Sequence, residues 1–499
     1  MPKHVTGRME LDMISEFFQE SPRKQIIGLF LGPIFFILIF FFTSPAGMSE
    51  QALAILASTF WIAIWWITEA IPIAATALMP IVLFPITGGL DISKTTAAFG
   101  NPMIFLFIGG FILAVAIERW GLHKRIAMNI IHLMGTRSSS ILLGFMIATA
   151  LLSMWISNTA TTIMMMPIAL AIITSVSAQA TETKNSQLPI FGKALMLSIA
   201  YAASIGGIAT LIGTPTNVIF SGIVKQLYNF DVTFYQWIVF ALPLTILLLF
   251  ITWFYLVRIA FPLRYSHIPG GQEEIKKELR TLGKMSHEEK TVSIVFLVTA
   301  LAWIFRSFLL VKIIPGINDT IIAMIGAIVL FILPSKTTPG SRILDWESAV
   351  RLPWGIIMLF GGGLALASAF KVSGLAVWIG DKMNLLQGAG FFLLLLVIIA
   401  SVNFLTEITS NVATASMILP ILAVLAKVLD IHPFSLMIAA TLAASCAFML
   451  PVATPPNAVV FASGELSMQD MLRAGFWMNI ISIAIVSVYV YFIFAYLEF

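Results

Sequence analysis

The sequence predicts an all-α polytopic membrane protein assembled from two inverted repeats. Three observations point there: the composition is too apolar for a soluble fold, apolar runs of bilayer-spanning length recur along the chain, and one polar motif occurs twice at a fixed spacing.

Of 499 residues, 59% are hydrophobic and 10% are Asp, Glu, Lys or Arg, against roughly 25% charged in an ordinary soluble domain. So few charges cannot cover a water-exposed surface, and the apolar surplus therefore faces lipid and neighbouring helices. The runs are continuously apolar instead of alternating, which argues against a β-barrel and leaves helices as the way the backbone satisfies itself in lipid. The first run, Ile26 to Phe42, is followed by further spans without an obvious small-residue cleavage site, so it reads as a first helix and not a removable signal. A formal charge of +4 comes from basic residues scattered between spans; cytoplasmic loops account for them and nucleic acid does not. The single cysteine, Cys446, excludes an intrachain disulfide and reads as a small packing residue.

Candidate spans cover 26–44, 51–67, 71–88, 102–120, 141–175, 194–224, 235–257, 291–309, 318–335, 352–370, 390–426, 433–462 and 475–496. Runs 141–175 and 390–426 are too broken by polar residues to be single helices. If each enters and leaves by the same side as a re-entrant hairpin, then Lys3, Arg8, Arg23 and Lys24, the cluster His123-Lys124-Arg125 with Arg137, Arg258, Arg264 and the linker 265–290, and Lys336, Arg342 and Arg351 all fall on the cytoplasmic side. Full crossings would split these clusters between the two sides, so the charge pattern favours hairpins. The linker, with Gly270-Gly271 followed by Glu273, Glu274, Lys276, Lys277, Glu278 and Arg280, predicts a short polar surface helix joining the halves.

The halves are related. Ser157-Asn158-Thr159-Ala160-Thr161 through Pro167 aligns with Ser410-Asn411-Val412-Ala413-Thr414 through Pro420 at an offset of 253, with six identities in eleven. The same offset relates Gly109-Gly110 and Gly121-Leu122 to Gly362-Gly363 and Gly374-Leu375. A second pair, Gly213-Thr214-Pro215-Thr216-Asn217 and Ala453-Thr454-Pro455-Pro456-Asn457, has an offset of 240, the 13 missing residues falling in the polar stretch 176–192. Run 102–120 goes inward while its partner 352–370 goes outward, so the repeats are inverted, and an in-plane pseudo-twofold axis brings corresponding breaks together.

Polar residues in the middle of apolar runs are costly unless they find partners. At a hairpin tip, freed N–H groups and helix N-termini suit an anion while carbonyls and hydroxyls suit a cation. Pro215 and Pro455 each remove a donor, so their helices are expected to be unwound there. Neither tip nor either Thr-Pro-Asn break contains Lys or Arg. Bound cations or helix dipoles must then supply the positive field for an anion, and Na⁺ fits the oxygen inventory. Glu407 could add field for a cation or serve as a paired structural carboxylate, and Trp155, just before the first tip, is the aromatic residue best placed to matter.

These tips and breaks, together with Phe461-Ala462-Ser463-Gly464 after the second break, resemble the divalent-anion/Na⁺ symporter family of di- and tricarboxylate and sulfate carriers over nearly the entire chain. The resemblance implies about eleven transmembrane helices plus two re-entrant hairpins, a homodimer, and an elevator movement of a transport domain against a scaffold. It implies one Na⁺ site at Ser153, Ser157, Asn158 and Gly213 and another at Thr406, Ser410, Asn411 and Ala453, with substrate carboxylates meeting Asn158, Thr159, Thr214, Asn411, Thr454 and Pro455. Val412 stands where the second motif often has threonine, which leaves tricarboxylate and sulfate open. The chain then divides into a cytoplasmic segment 1–25, scaffold helices 26–99, a first repeat core 100–260 with its hairpin near 138–175, a linker 261–290, scaffold helices 291–351, and a second repeat core 352–499 with its hairpin near 390–428.

The expected function is a secondary active transporter in the bacterial inner membrane that couples inward Na⁺ movement to uptake of a C4 dicarboxylate such as succinate, malate or fumarate, with membrane lipid around it and no nucleic-acid partner. Na⁺-independent dicarboxylate exchange and Na⁺-coupled citrate or sulfate transport remain as alternatives. An intramembrane enzyme is the alternative of a different class; the six histidines are dispersed and no metal-ligand spacing occurs.

Overall fold

Each backbone N–H and C=O at lipid depth needs a partner within the protein, and the apolar runs meet that need as helices. A computed structural model describes residues 23–135, 137–180, 188–263, 271–382 and 390–496. Among them, ten helical stretches are long and apolar enough to cross a membrane, and the only extended pairing is an isolated bridge between Pro334 and Arg342.

In the first half, α1 (Arg23–Phe42) lies against α2 (Glu50–Thr68) and turns Ile27, Phe30, Phe41 and Phe42 outward. The span expected over 71–88 is instead two short helices, Ile73–Thr76 and Met79–Ile86. Proline explains the division: Pro72 precedes the first, Pro80 opens the second, and neither offers an N–H to continue a ladder. Then follow α3 (Pro102–Arg119), α4 (Leu122–Met134), α5 (Ser138–Ser153), α6 (Asn158–Ala180), α7 (Leu188–Ile208), α8 (Pro215–Tyr228) and α9 (Phe234–Tyr255).

The expected linker helix is α10 (Gly271–Thr281). It packs on α4, where Lys124 meets Glu278 at 3.1 Å. Arg125 pairs one guanidinium edge, Nε and Nη2, with the two Glu289 oxygens at 2.9 and 3.1 Å and donates to the Leu282 and Gly283 carbonyls. The second half comprises α11 (His287–Phe305), α12 (Asp319–Ile332), α13 (Trp354–Val372), α14 (Leu375–Lys382), α15 (Phe391–Thr406), α16 (Asn411–Val428), α17 (Pro433–Ala444), α18 (Pro455–Ala462) and α19 (Met468–Tyr496).

The repeated glycines have repeated jobs. Gly121 joins α3 to α4 at φ +69°, and Gly374 joins α13 to α14 at φ +79°, a left-handed conformation that favours glycine. Gly109 lets α3 cross α12, since a Cβ there would lie 2.7 Å from that of Ala323; Gly362 lets α13 cross the Ile73–Ile86 pair, since a Cβ would lie 2.5 Å from the Ala77 carbonyl oxygen. Each half's core helix therefore packs on the other half's flanking helix, the exchange that inverted repeats demand. Among the ten long apolar stretches α7 is the most enclosed, with Leu195 through Ala203 fully buried.

Candidate functional site

Two turns of four residues, 154–157 and 407–410, link α5 to α6 and α15 to α16 with the same backbone pattern. Across each turn the same pair meets. Ser153 Oγ donates to Asn158 Oδ1 at 2.5 Å, and Thr406 Oγ1 donates to Asn411 Oδ1 at 2.5 Å. Each hydroxyl also reaches a carbonyl of the broken helix in its own half, Ala203 at 2.7 Å and Ala444 at 3.2 Å. Ser153 and Thr406 are fully buried, while Ser157, Asn158, Thr159, Ser410, Asn411 and Val412 are half-buried at the helix starts. Ser157 Oγ accepts from the Ala160 N–H at 3.2 Å.

The breaks follow the prolines' chemistry with one refinement. Unwinding was expected at Pro215 and Pro455, yet both prolines are the first residues of α8 and α18, and the unwound stretches 209–214 and 445–454 lie before them. A missing N–H is harmless at a helix's first position, and the ring's fixed φ starts the helix. Thr214 and Thr454 precede them in matching extended conformations, φ −137°, ψ 144° and φ −141°, ψ 148°. Both threonines are buried, as are Gly213 and Ala453, while Pro455 is exposed.

A clamp holds each break, and it is duplicated. Asn217 Nδ2 donates to the carbonyls of Gly207, Ile208 and Thr210 at 3.2, 3.2 and 2.8 Å; Asn457 Nδ2 donates to those of Ala447 and Leu450 at 3.3 and 3.0 Å. In both, Oδ1 is buried without a protein partner. The two asparagines belong to the repeated motif, which is the signal that could have assigned them this role.

The first tip touches the last turn of α7, just before the first break, at Gly207, a residue that spacing alone did not single out. A Cβ there would lie 2.7 Å from Asn158 Oδ1 and 3.1 Å from the Gly213 carbonyl oxygen. Oxygens of Ser153, Asn158, Ala203, Gly207 and Gly213 thus converge on one spot. Uncharged oxygens from hydroxyl, amide and carbonyl suit a small hard cation; among the described residues no cluster of His, Cys, Asp or Glu could hold a metal ion.

The halves meet. Thr216 Oγ1 and Ser445 Oγ lie 2.8 Å apart, Tyr201 OH donates to the Phe448 carbonyl at 3.0 Å, α6 packs on α18, and α8 packs on α16 and α17. Helices α6, α8, α16 and α18 all begin at this centre, and first-turn N–H groups lack intrahelical partners, so helix N-termini favour an anion here. Lys24 Nζ reaches the second tip from elsewhere in the sequence, donating to the Ile408 carbonyl at 3.3 Å. Trp155 in the first tip stacks on Phe234 and Trp303 and meets Phe296 edge-on, with ring centroids 4.9–6.4 Å away.

Glu407 is structural. Its Oε1 accepts from the N–H groups of Phe448 and Met449 and from Asn479 Nδ2 at 2.7, 3.0 and 2.7 Å, and its Oε2 accepts from the Leu450 N–H at 3.0 Å. It caps the unwound strand that carries Ala453.

Two interrupted helices and two paired tips, related by an internal repeat and meeting inside an apolar bundle, define a secondary membrane transporter. Residues 23–497 match the sodium:sulfate symporter transmembrane region, and the chain belongs to that family. It is 48% identical over 473 residues to the sodium-dependent dicarboxylate transporter SdcS of Staphylococcus saprophyticus, covering 94% of this chain and 91% of that one. It is 49% identical over 487 residues to SdcS of Staphylococcus aureus strain MRSA252, covering 96% and 94%. The fold resembles that of the Alcanivorax borkumensis YdaH transporter, with a TM-score of 0.59 at 13% identity over 90% of this chain and 99% of that one. It also resembles MtrF of Neisseria gonorrhoeae, with a TM-score of 0.55 at 15% identity over 94% and 95%.

Proposed function

We propose that the chain uses an inward Na⁺ gradient to drive uptake of a C4 dicarboxylate across the bacterial inner membrane. The observation that carries this reading is the duplicated contact, Ser153 with Asn158 and Thr406 with Asn411, in a chain about half identical to transporters named for sodium and dicarboxylate.

One Na⁺ is assigned to Ser153, Ser157, Asn158 and Gly213, with the Ala203 and Gly207 carbonyls beside them, and a second to Thr406, Ser410, Asn411 and Ala453. Na⁺ is cargo here. A cation drawing Asn158 and Asn411 into its shell fixes both tips, and the substrate carboxylates then meet Asn158, Thr159, Thr214, Asn411, Thr454 and Pro455 against the helix N-termini. Ion binding before anion binding follows from charge, because a dianion in this centre needs the cations' field. The loaded core, repeats 100–260 and 352–499 with their hairpins, moves as an elevator against helices 26–99 and 291–351, in a homodimer.

Purified protein in liposomes is expected to accumulate labelled succinate only with an inward Na⁺ gradient, and citrate and sulfate in the same assay rank the competing anions. Equal uptake with K⁺ or choline in place of Na⁺ would remove the coupling. Asn158→Ala and Asn411→Ala should each weaken both Na⁺ dependence and uptake by about tenfold or more; unchanged kinetics at either position takes that residue out of the site.

A further inference from the structure

A groove of about 1370 Å³ opens beside α7, the first turns of α19 and the π-helical end of α9 at Leu256–Ala260, and its floor includes Met449 of the second break. Its apolar walls include Ile259, Phe261, Phe476 and Trp477. Ile259, Phe476 and Trp477 are exposed, so the walls open toward lipid. Water is a poor occupant of such walls at membrane depth, and the volume exceeds the roughly 300–1,000 Å³ of small-solute sites.

Charge selects the occupant. Lys193 and Asp470 on the rim pair at 2.9 Å and neutralise each other, and Ser467 also holds Asp470. Arg473, exposed on the same rim, has no acidic partner among the described residues. The rim lies on the side that the basic loops assign to the cytoplasm, where anionic lipids attract basic residues.

We propose that this groove binds one anionic phospholipid, its phosphate on Arg473 and an acyl chain along Phe476, Trp477 and Ile259. The bound chain abuts Met449, whose N–H is one of the donors to Glu407. Lipid occupancy therefore supports the strand that carries Ala453.

Native mass spectrometry of the purified full chain, released from nanodiscs containing equal phosphatidylglycerol and phosphatidylcholine, tests this. Wild type is expected to retain one phosphatidylglycerol per chain, and Arg473→Gln should lower that retention about fivefold. Lys193→Gln frees Asp470 to compete for Arg473 and should lower it as well. Equal retention of the two lipids by wild type, or undiminished phosphatidylglycerol on Arg473→Gln, overturns the site. The same spectra read oligomeric state, and a dimer lost on Arg473→Gln would assign the groove to a second copy of the chain and also overturn it. Succinate uptake with Na⁺ in the two lipids is measured alongside; failure of coupling in both would count against the transport reading and leave lipid retention to decide this one.

Discussion

Both breaks are clamped by an asparagine, but beyond that clamp the chain between α7 and α8 is flanked by helices packed through glycine, whereas the stretch between α17 and α18 is gathered by the side chains of Asn403 and Glu407. The first break has six residues, 209–214, and its surroundings are glycines 206, 207 and 213; the second has ten, 445–454, and the offset of 240 puts Cys446, Ala447 and Ala453 at the matching places. A Cβ on Gly206 would lie 2.4 Å from the Ala150 carbonyl oxygen, so α5 and α7 touch directly. The counterpart of Ala150 is Asn403, which fills a wider gap by donating to the Cys446 carbonyl at 2.5 Å. The counterpart of Met154, whose carbonyl accepts from Thr210 Oγ1 at 2.5 Å, is Glu407, whose carboxylate gathers three N–H groups of the longer strand. A longer unwound strand in lipid frees more N–H groups, and a buried carboxylate can satisfy several at once. The two breaks thus share close packing, since Gly475 brings α19 against the Phe448 backbone as Gly206 brings α7 against Ala150, and they differ in the polar network that Asn403 and Glu407 add to the longer one.

The sharpest break of this comparison is a pair of reciprocal changes. Gly207→Ala puts a methyl against Asn158 Oδ1 and the Gly213 carbonyl, and moving Asn158 away takes it from Ser153. Overpacking of this kind costs about 1–3 kcal/mol, so Na⁺-driven succinate uptake should fall roughly 10- to 100-fold with a matching rise in the Na⁺ concentration needed. Ala447→Gly, at the equivalent place, should change uptake by less than about fivefold, the effect of one added glycine. Similar losses from both would show that the breaks do not differ in tightness.

A second pair concerns stability. Glu407→Gln keeps one acceptor oxygen but turns an amide NH₂ toward a backbone N–H in place of the other, a donor facing a donor. It should cost about 2–3 kcal/mol and lower the unfolding temperature in detergent, while Thr210→Val, which deletes the single bond to Met154, should cost about 1 kcal/mol. Reversal of that order would contradict the assignment of the polar network to the second half.

Much of this was legible in the sequence because it repeats at short range. The offset of 253 carried both tips and the glycine joints, and the offset of 240 carried both breaks and the asparagine clamps. What spacing could not carry is contact between segments. Gly207 matters because Asn158, 49 positions earlier, lies against it, and a glycine doublet alone does not announce such a neighbour. Glu407 was placed beside the second tip but its role stayed open, since its partners 448–450 and Asn479 are 41 to 72 residues away. The division of 71–88 was missed for a local reason: hydropathy is continuous there, and the prolines that interrupt the ladder are themselves apolar.

The smallest expected effect concerns the one side chain that breaks the motif's symmetry. Thr159 and Val412 occupy the second position of α6 and α16, both half-buried beside helix N-termini that face the centre. A hydroxyl at Val412 would offer a carboxylate one more donor, contributing about 0.5–1.5 kcal/mol if the anion spans both tips. Val412→Thr should therefore lower the apparent KM for succinate by about 2- to 10-fold in proteoliposomes under an inward Na⁺ gradient. The reverse change, Thr159→Val, should raise it by a similar factor. If Val412→Thr leaves KM unchanged while Thr159→Val raises it, the substrate rests on the first tip alone, and the second half contributes its cation and its helix N-termini but no hydroxyl at this position.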